Sequence, residues 1–131
     1  MEDIFKLEII SPEKIIFSED VKMVILPSYE GDMGVLKNHI SIITFLRPGI
    51  IKVQKKEGNI NDFFVQDGTV EYFNDNLIVL SALVMNIKDL SKEFVDNLNK
   101  DTQEKLADKN ITDHDRYILN HKLNVLKEVR I

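Results

Sequence analysis

Apolar and polar positions change period once along this chain. From Ile4 onward they alternate: Phe5, Leu7 and Ile9 are separated by Lys6 and Glu8, the spacing of a half-buried strand. Ser11-Pro12-Glu13-Lys14 interrupts, because proline has no N–H to give to a ladder. Short apolar segments follow at 15–17, 21–26, 40–46, 50–53, 61–65, 70–72 and 77–80. The residues between them are turn formers. Pro27 closes one segment, and Glu30-Gly31-Asp32-Met33-Gly34 reads as a loop. Arg47-Pro48-Gly49 suits a type II turn, and Glu57-Gly58-Asn59 suits a hairpin. The adjacent acids Glu19-Asp20, and the pairs Asp67-Gly68 and Asn74-Asp75, are further turn signals. Their recurrence, roughly every 8–12 residues, predicts a β-sandwich or barrel.

From Lys88 the period becomes helical. Leu90, Phe94 and Leu98 step by four, with Leu106 further along the same face. Asp89, Glu93 and Asp96 occupy the early turns, where the helix dipole favours acids. Asn110-Ile111-Thr112 breaks the pattern, and Thr112 with Asp115 fits a capping box. Leu119, Leu123 and Leu126 form a second stripe, with Ile118, Val125 and Val129 beside it. Two such helices joined by a short connection predict an antiparallel hairpin. The expected organisation is an all-β sandwich over 1–86, followed by a helical hairpin over 87–131.

Composition sharpens that division. All 5 glycines and all 3 prolines of the 131 residues lie between Pro12 and Gly68. The first part carries 8 Lys and Arg against 13 Asp and Glu, and the second carries 9 of each. No basic stripe exists for a phosphate backbone, so nucleic acid is not an expected partner. Cysteine is absent, which excludes disulfides, thiolate nucleophiles and zinc ribbons. No apolar run approaches the roughly 20 residues of a membrane span. The opening MEDIFKLEII lacks a cationic segment before its apolar run, so it reads as neither signal nor transit peptide, and a reducing cytoplasm is expected.

Little catalytic chemistry is on offer. His114 and His121 are seven residues apart, too far to chelate one metal directly. His39 has Glu30 and Asp32 near it in sequence, but loop histidines are more often hydrogen-bonded or exposed, and no metal is expected. The serines sit in no nucleophile-elbow frame, and Ser11-Pro12-Glu13-Lys14 reads as a turn rather than S-x-x-K. There is no phosphate-binding glycine loop and no expected cofactor. An interaction module, not an enzyme, is the default.

One ordered set of residues goes further. Leu7-Glu8-Ile9-Ile10-Ser11-Pro12-Glu13 is followed by Phe17-Ser18, Glu30-Gly31-Asp32-Met33-Gly34-Val35-Leu36 with His39, Leu46-Arg47-Pro48-Gly49, Phe64-Val65, Gly68 and Val70-Glu71. In this order the chain resembles the epsilon subunit of the F-type (bacterial-type) rotary ATP synthase, strongly to about residue 86 and more weakly beyond. The resemblance implies a sandwich of about ten strands with a C-terminal two-helix hairpin. It implies a non-catalytic rotor subunit, whose sandwich clamps the gamma shaft onto the membrane c-ring. The hairpin lies compact on the sandwich or extends toward the alpha/beta hexamer, where it can oppose ATP hydrolysis. Glu30, Gly31 and Asp32 are the implied c-ring contacts, and Ser11 and His39 the implied gamma contacts. Arg116, Lys122, Lys127 and Arg130 are candidates for meeting the catalytic subunits. The implied location is peripheral, on the cytoplasmic face of the bacterial inner membrane.

Departures from the family pattern carry their own expectations. Some members bind ATP through an Asp-x-x-Arg-Ala motif, which here is Asp89-Leu90-Ser91-Lys92-Glu93. Lysine cannot offer the guanidinium fork, and Glu93 adds negative charge, so nucleotide binding at Asp89 and Lys92 is expected to be weak or lost. The family's hairpin is alanine-rich, whereas Ala82 and Ala107 are the only alanines here. An inhibitory role is therefore left open. The competing readings are an ATP-sensing module of the same complex and an unrelated β-sandwich hydrolase.

Overall fold

The computed structural model describes residues 3–129. Among them are nine strands: β1 (Phe5–Ile10), β2 (Ile15–Ser28), β3 (Gly31–Val35), β4 (Ile42–Leu46), β5 (Gly49–Lys55), β6 (Ile60–Val65), β7 (Gly68–Phe73), β8 (Asn76–Leu80) and β9 (Val84–Asn86). A 3-10 turn at Ile87–Asp89 leads into α1 (Lys92–Leu106) and α2 (Asp113–Glu128).

One of the strands, β2, does the work of two. Residues 15–17 and 21–26, expected as separate strands, are one 14-residue strand. Its first half pairs antiparallel with β1, matching Phe5 to Val21 and Ile9 to Phe17. Its second half pairs with β3 and β5. The acids expected to turn the chain instead lie inside it, with Glu19 opposite Leu7 and Asp20 opposite Lys6. Lys55 makes this tolerable by ion-pairing with Glu19 at 3.2 Å. Pro27 does not end the strand either. It faces Asp32 across the β2–β3 pair, and its carbonyl accepts the Arg47 amide at 3.0 Å.

The sandwich has two layers. One runs β1-β8-β7-β4, and the other is β2-β5-β6-β9 with β3 paired to β2. Inward residues alternate along each strand and meet in one core: Leu7, Leu46, Val70, Tyr72 and Leu77 from the first layer, and Val24, Ile51, Val53, Phe63 and Val65 from the second. Edge-to-face contacts between Phe5 and Tyr72 and between Phe17 and Phe63 lock it. Arg47-Pro48-Gly49 is not the type II turn expected, since Gly49 has no positive φ and already belongs to β5. Its lack of a Cβ serves packing: any Cβ there collides with the Pro27 ring.

The helices cover the outer face of the second layer. Phe64, pointing away from the main core, is buried with Leu90, Val95, Val125 and Leu126, and Ile50, Leu83 and Met85 pack around them. The first helix begins later than its pattern suggested. Ser91 caps it by accepting the Phe94 amide, so Asp89 lies in the preceding 3-10 turn. Thr112 caps α2 by accepting the Asp115 amide at 3.0 Å. The buried face of α2 is also rotated from expectation. Lys122, Val125 and Leu126 are buried, while Leu119 and Leu123 are only half-buried.

Candidate functional site: the uncovered sheet face and its flanks

The outer face of the β1-β8-β7-β4 layer has no helix over it, yet its side chains are apolar. The strand registers set Phe45, Thr69, Leu80 and Ile10 in one row across four strands. The next row is Ile43, Glu71, Ile78 and Glu8, and Phe73 follows beyond it. Ile43 is 75% exposed, Phe45 58%, Phe73 63% and Leu80 49%. Isolated apolar residues on a surface are ordinary, but a contiguous patch on a flat sheet marks an interaction surface. Two acids, Glu8 and Glu71, interrupt it, which suits a partner that brings basic side chains to an otherwise apolar contact.

Ser11 and His39, both picked out from sequence, flank opposite ends of this face. Ser11 follows Ile10, at the Leu80 end. Its hydroxyl donates to the Lys14 carbonyl at 3.1 Å, so Ser11-Pro12-Glu13-Lys14 is the turn expected. His39 sits at the other end, its ring edge-to-face with Tyr72 at 5.4 Å, and its neighbour Ile40 is 77% exposed. The loop carrying them is pinned. Asp75 accepts both the Tyr72 hydroxyl at 2.7 Å and the Asn38 amide at 2.9 Å. Burial, reinforced by the Asp75 carboxylate, pushes the Tyr72 phenol up to about 12, and the two hydrogen bonds hold Asp75 below the usual carboxylate range. Asn74 and Asp75 both adopt positive φ, 51° and 59°, the geometry of a tight hairpin turn.

The second candidate region is the β2–β3 connection. Only Tyr29 and Glu30 form the turn; Gly31 to Gly34, read from sequence as part of a loop, belong to strand β3. Gly31, at φ 125°, brings the chain out of the turn into β3 in a conformation any larger residue resists. Glu30 and Asp32 are exposed as expected of contact residues, but Asp32 is not free: it pairs with Arg47 at 3.6 Å. His39 and Asp32 are thus engaged with different neighbours, and among the described residues no three His, Cys, Asp or Glu side chains are grouped to hold a metal.

The hairpin candidates divide. Arg116 and Lys127 are exposed; Arg130 lies outside the described residues. Lys122 is 4% exposed, its ammonium destabilised by burial and by Lys105, with Asp101 and Asp67 opposing that shift. It can reach another subunit only after the hairpin unpacks. Asp89 and Lys92 are exposed, one on the 3-10 turn and the other opening α1. Sequence reasoning missed the apolar face because Ile42-Ile43-Thr44-Phe45-Leu46 is apolar at both parities, so alternation gives no sign of which side is uncovered.

Comparison with known proteins bears on this geometry. Residues 4–86 match the family described as ATP synthase, delta/epsilon chain, beta-sandwich domain. An ATP synthase epsilon chain from Pelagibacter ubique is 47% identical over 128 residues, covering 97% of this chain and 98% of the relative. One from Parvibaculum lavamentivorans is 34% identical, covering 99% and 98%. Among solved structures, a chain of the Euglena gracilis mitochondrial ATP synthase superposes with a TM-score of 0.72 at 18% identity, covering 97% of this chain and 79% of that one. The last likeness speaks for the fold.

Proposed function

The chain belongs to the ATP synthase delta/epsilon-chain family, and on that premise we propose that its uncovered sheet face docks the gamma shaft while the β2–β3 turn faces the c-ring. As an epsilon chain it is a non-catalytic, central-stalk subunit; the complex, not this chain, turns over ATP. No helix among the described residues is long and apolar enough to cross a membrane. On the family reading, its association with the membrane is peripheral, through the complex and on the cytoplasmic side.

The observation that carries the docking assignment is the set of exposed apolar side chains Ile43, Phe45, Phe73 and Leu80 on one uncovered sheet face, flanked by Ser11 and His39. Gamma supplies an apolar surface with basic groups for Glu8 and Glu71. Glu30, Gly31 and Asp32 present polar groups at the end of the sandwich for the c-ring loops. The two parts, 1–86 and 87–131, divide the work: a fixed clamp and a movable hairpin. On release, α2 carries Arg116, Lys122 and Lys127, and the chain after it carries Arg130, toward the alpha/beta hexamer and opposes hydrolysis.

The test is co-purification with gamma, followed by ATPase assays of the reconstituted complex with the full chain or with residues 1–87. The expected result is that both bind gamma and both couple, and that only the full chain inhibits. Failure of 1–87 to bind gamma removes the clamp assignment, and equal ATPase rates remove the brake.

A further inference from the structure

The contact that closes the hairpin onto the sandwich at one point is made by groups far apart in sequence. His121, on α2, places Nδ1 3.4 Å from Nη1 of Arg47, in the β4–β5 connection. A guanidinium has only donors, so Nδ1 must be the acceptor and the imidazole must be neutral, with its proton on Nε2. Arg47 cannot easily turn aside: its Nε donates to the Ser28 carbonyl at 2.9 Å and its Nη2 pairs with Asp32 at 3.6 Å. A protonated His121 therefore faces a fixed cation with no acceptor to offer it.

We propose that His121 is a pH-sensitive catch, which holds the helical hairpin on the sandwich while its imidazole is neutral and loosens it once protonated. The groove around the contact, about 300 Å³, is lined among others by Asp32 from β3, Arg47, Lys52 from β5, and His121 and Glu128 from α2. Lys52 adds to the repulsion; Asp32, already paired with Arg47, and Glu128 offset part of it. Tyr117 packs its ring edge-to-face on that of His121 at 4.4 Å. Lys122 interacts instead with Asp101, Lys105 and Asp67. Burial, and then Arg47, hold the His121 pKa below its ordinary 6.5. The docked state thus binds fewer protons than the released state. The stability that this contact adds to docking is fully present above pH 6.5 and is lost as pH falls below it. The inference rests on the docked geometry alone and stands whether or not gamma binds the opposite face.

The absence of cysteine allows clean labelling. Ser18→Cys on β2 and Asn120→Cys on α2, both exposed positions, take a donor and an acceptor dye in the full chain. At a urea concentration that leaves the hairpin half released at about pH 7.5, where a small bias is readable, energy transfer is expected to fall between about pH 7.5 and about pH 5.5, with the docking equilibrium dropping about tenfold for each unit by which docking lowers the imidazole pKa. His121→Gln keeps an acceptor that cannot be protonated and is expected to abolish the fall. His114→Gln, near Tyr29 on the same helix, is expected to leave it intact. Constant transfer in the wild-type chain, or an undiminished fall in His121→Gln, overturns the proposal. If His121→Gln is open at both pH values, NMR titration of the His121 ring decides. Its pKa must rise toward that of free imidazole in Arg47→Gln, and an unchanged value overturns the catch.

Discussion

Replacing Ile43 and Phe45 together by threonine tests the sheet face with few side effects. Threonine keeps the β-branched shape that strands favour, and both side chains point away from the core. Their exposed fractions, 75% and 58%, are what a partner can still bury. Full burial of such a side chain is worth about 1.5–3 kcal/mol, so completing it at both positions contributes roughly 2–4 kcal/mol to binding. Because the two are neighbours in one row-to-row contact, the sum is an upper figure. The double variant should bind gamma roughly a hundredfold more weakly, measured by calorimetry on the full chain. Its urea midpoint should barely move, since surface changes cost about 0.5 kcal/mol or less. Ile60→Thr is the control: Ile60 is 68% exposed but lies on β6 of the other layer, and its loss should leave gamma affinity unchanged. Binding by the double variant within about twofold of wild type refutes the assignment. So does an equal loss in the control, because the effect is then not one of this face.

Three further outcomes follow from particular contacts. Gly49→Ala drives a methyl into the Pro27 ring and should cost about 1–3 kcal/mol in urea unfolding, with the β2–β3 hairpin losing amide protection first. Tyr72, raised to about 12 from an ordinary 10.0, is neutral in the fold at a pH where the unfolded chain ionises. Stability should therefore hold below pH 10 and decline as pH rises toward 12, and Tyr72→Phe should remove that part of the alkaline decline seen in circular dichroism melts. Isothermal titration of the full chain with ATP should show no micromolar binding, and Lys92→Arg with Glu93→Ala should strengthen whatever binding exists.

Much of this architecture was legible because burial imposes period two on β1, β5 and β7 and a near-four step on the helices. The misreadings have physical causes. Pro27 and the pair Glu19-Asp20 look like stops, but Pro27 stays in register opposite Asp32 with its carbonyl bonded to Arg47, and Lys55 accommodates Glu19. Gly31 and Gly34 suggested a loop, yet only Gly31 needs the turn conformation, and Gly34 pairs with Ile25 as an ordinary strand residue. Strand β9, three residues long, is too short for any period to show. Lys122 reads as a solvated cation until the α1–α2 packing is known. The contact of His121 with Arg47, 74 residues apart, follows from no local pattern.

The two outer faces of the sandwich are alike in chemistry and differ in what covers them, which constrains how the hairpin moves. One face, with Phe64 at its centre, is covered by the chain's own helices; the other, with Ile43 and Phe45, waits for a partner. Uncovering Phe64 alone costs about 1.5–3 kcal/mol, and Leu90, Val95, Val125 and Leu126 are buried in the same cluster. Protonating His121 supplies about 1.4 kcal/mol per unit of pKa depression. The catch is therefore too weak to release the hairpin unaided. It biases an equilibrium whose main term is apolar area, and the helices can leave only for a surface that buries Val125 and Leu126 comparably well. An acid shift should thus change how readily a partner captures the hairpin more than how often it opens in the isolated chain. In the assembled complex, His121→Gln should shift the pH profile of any inhibition while leaving its maximum extent unchanged.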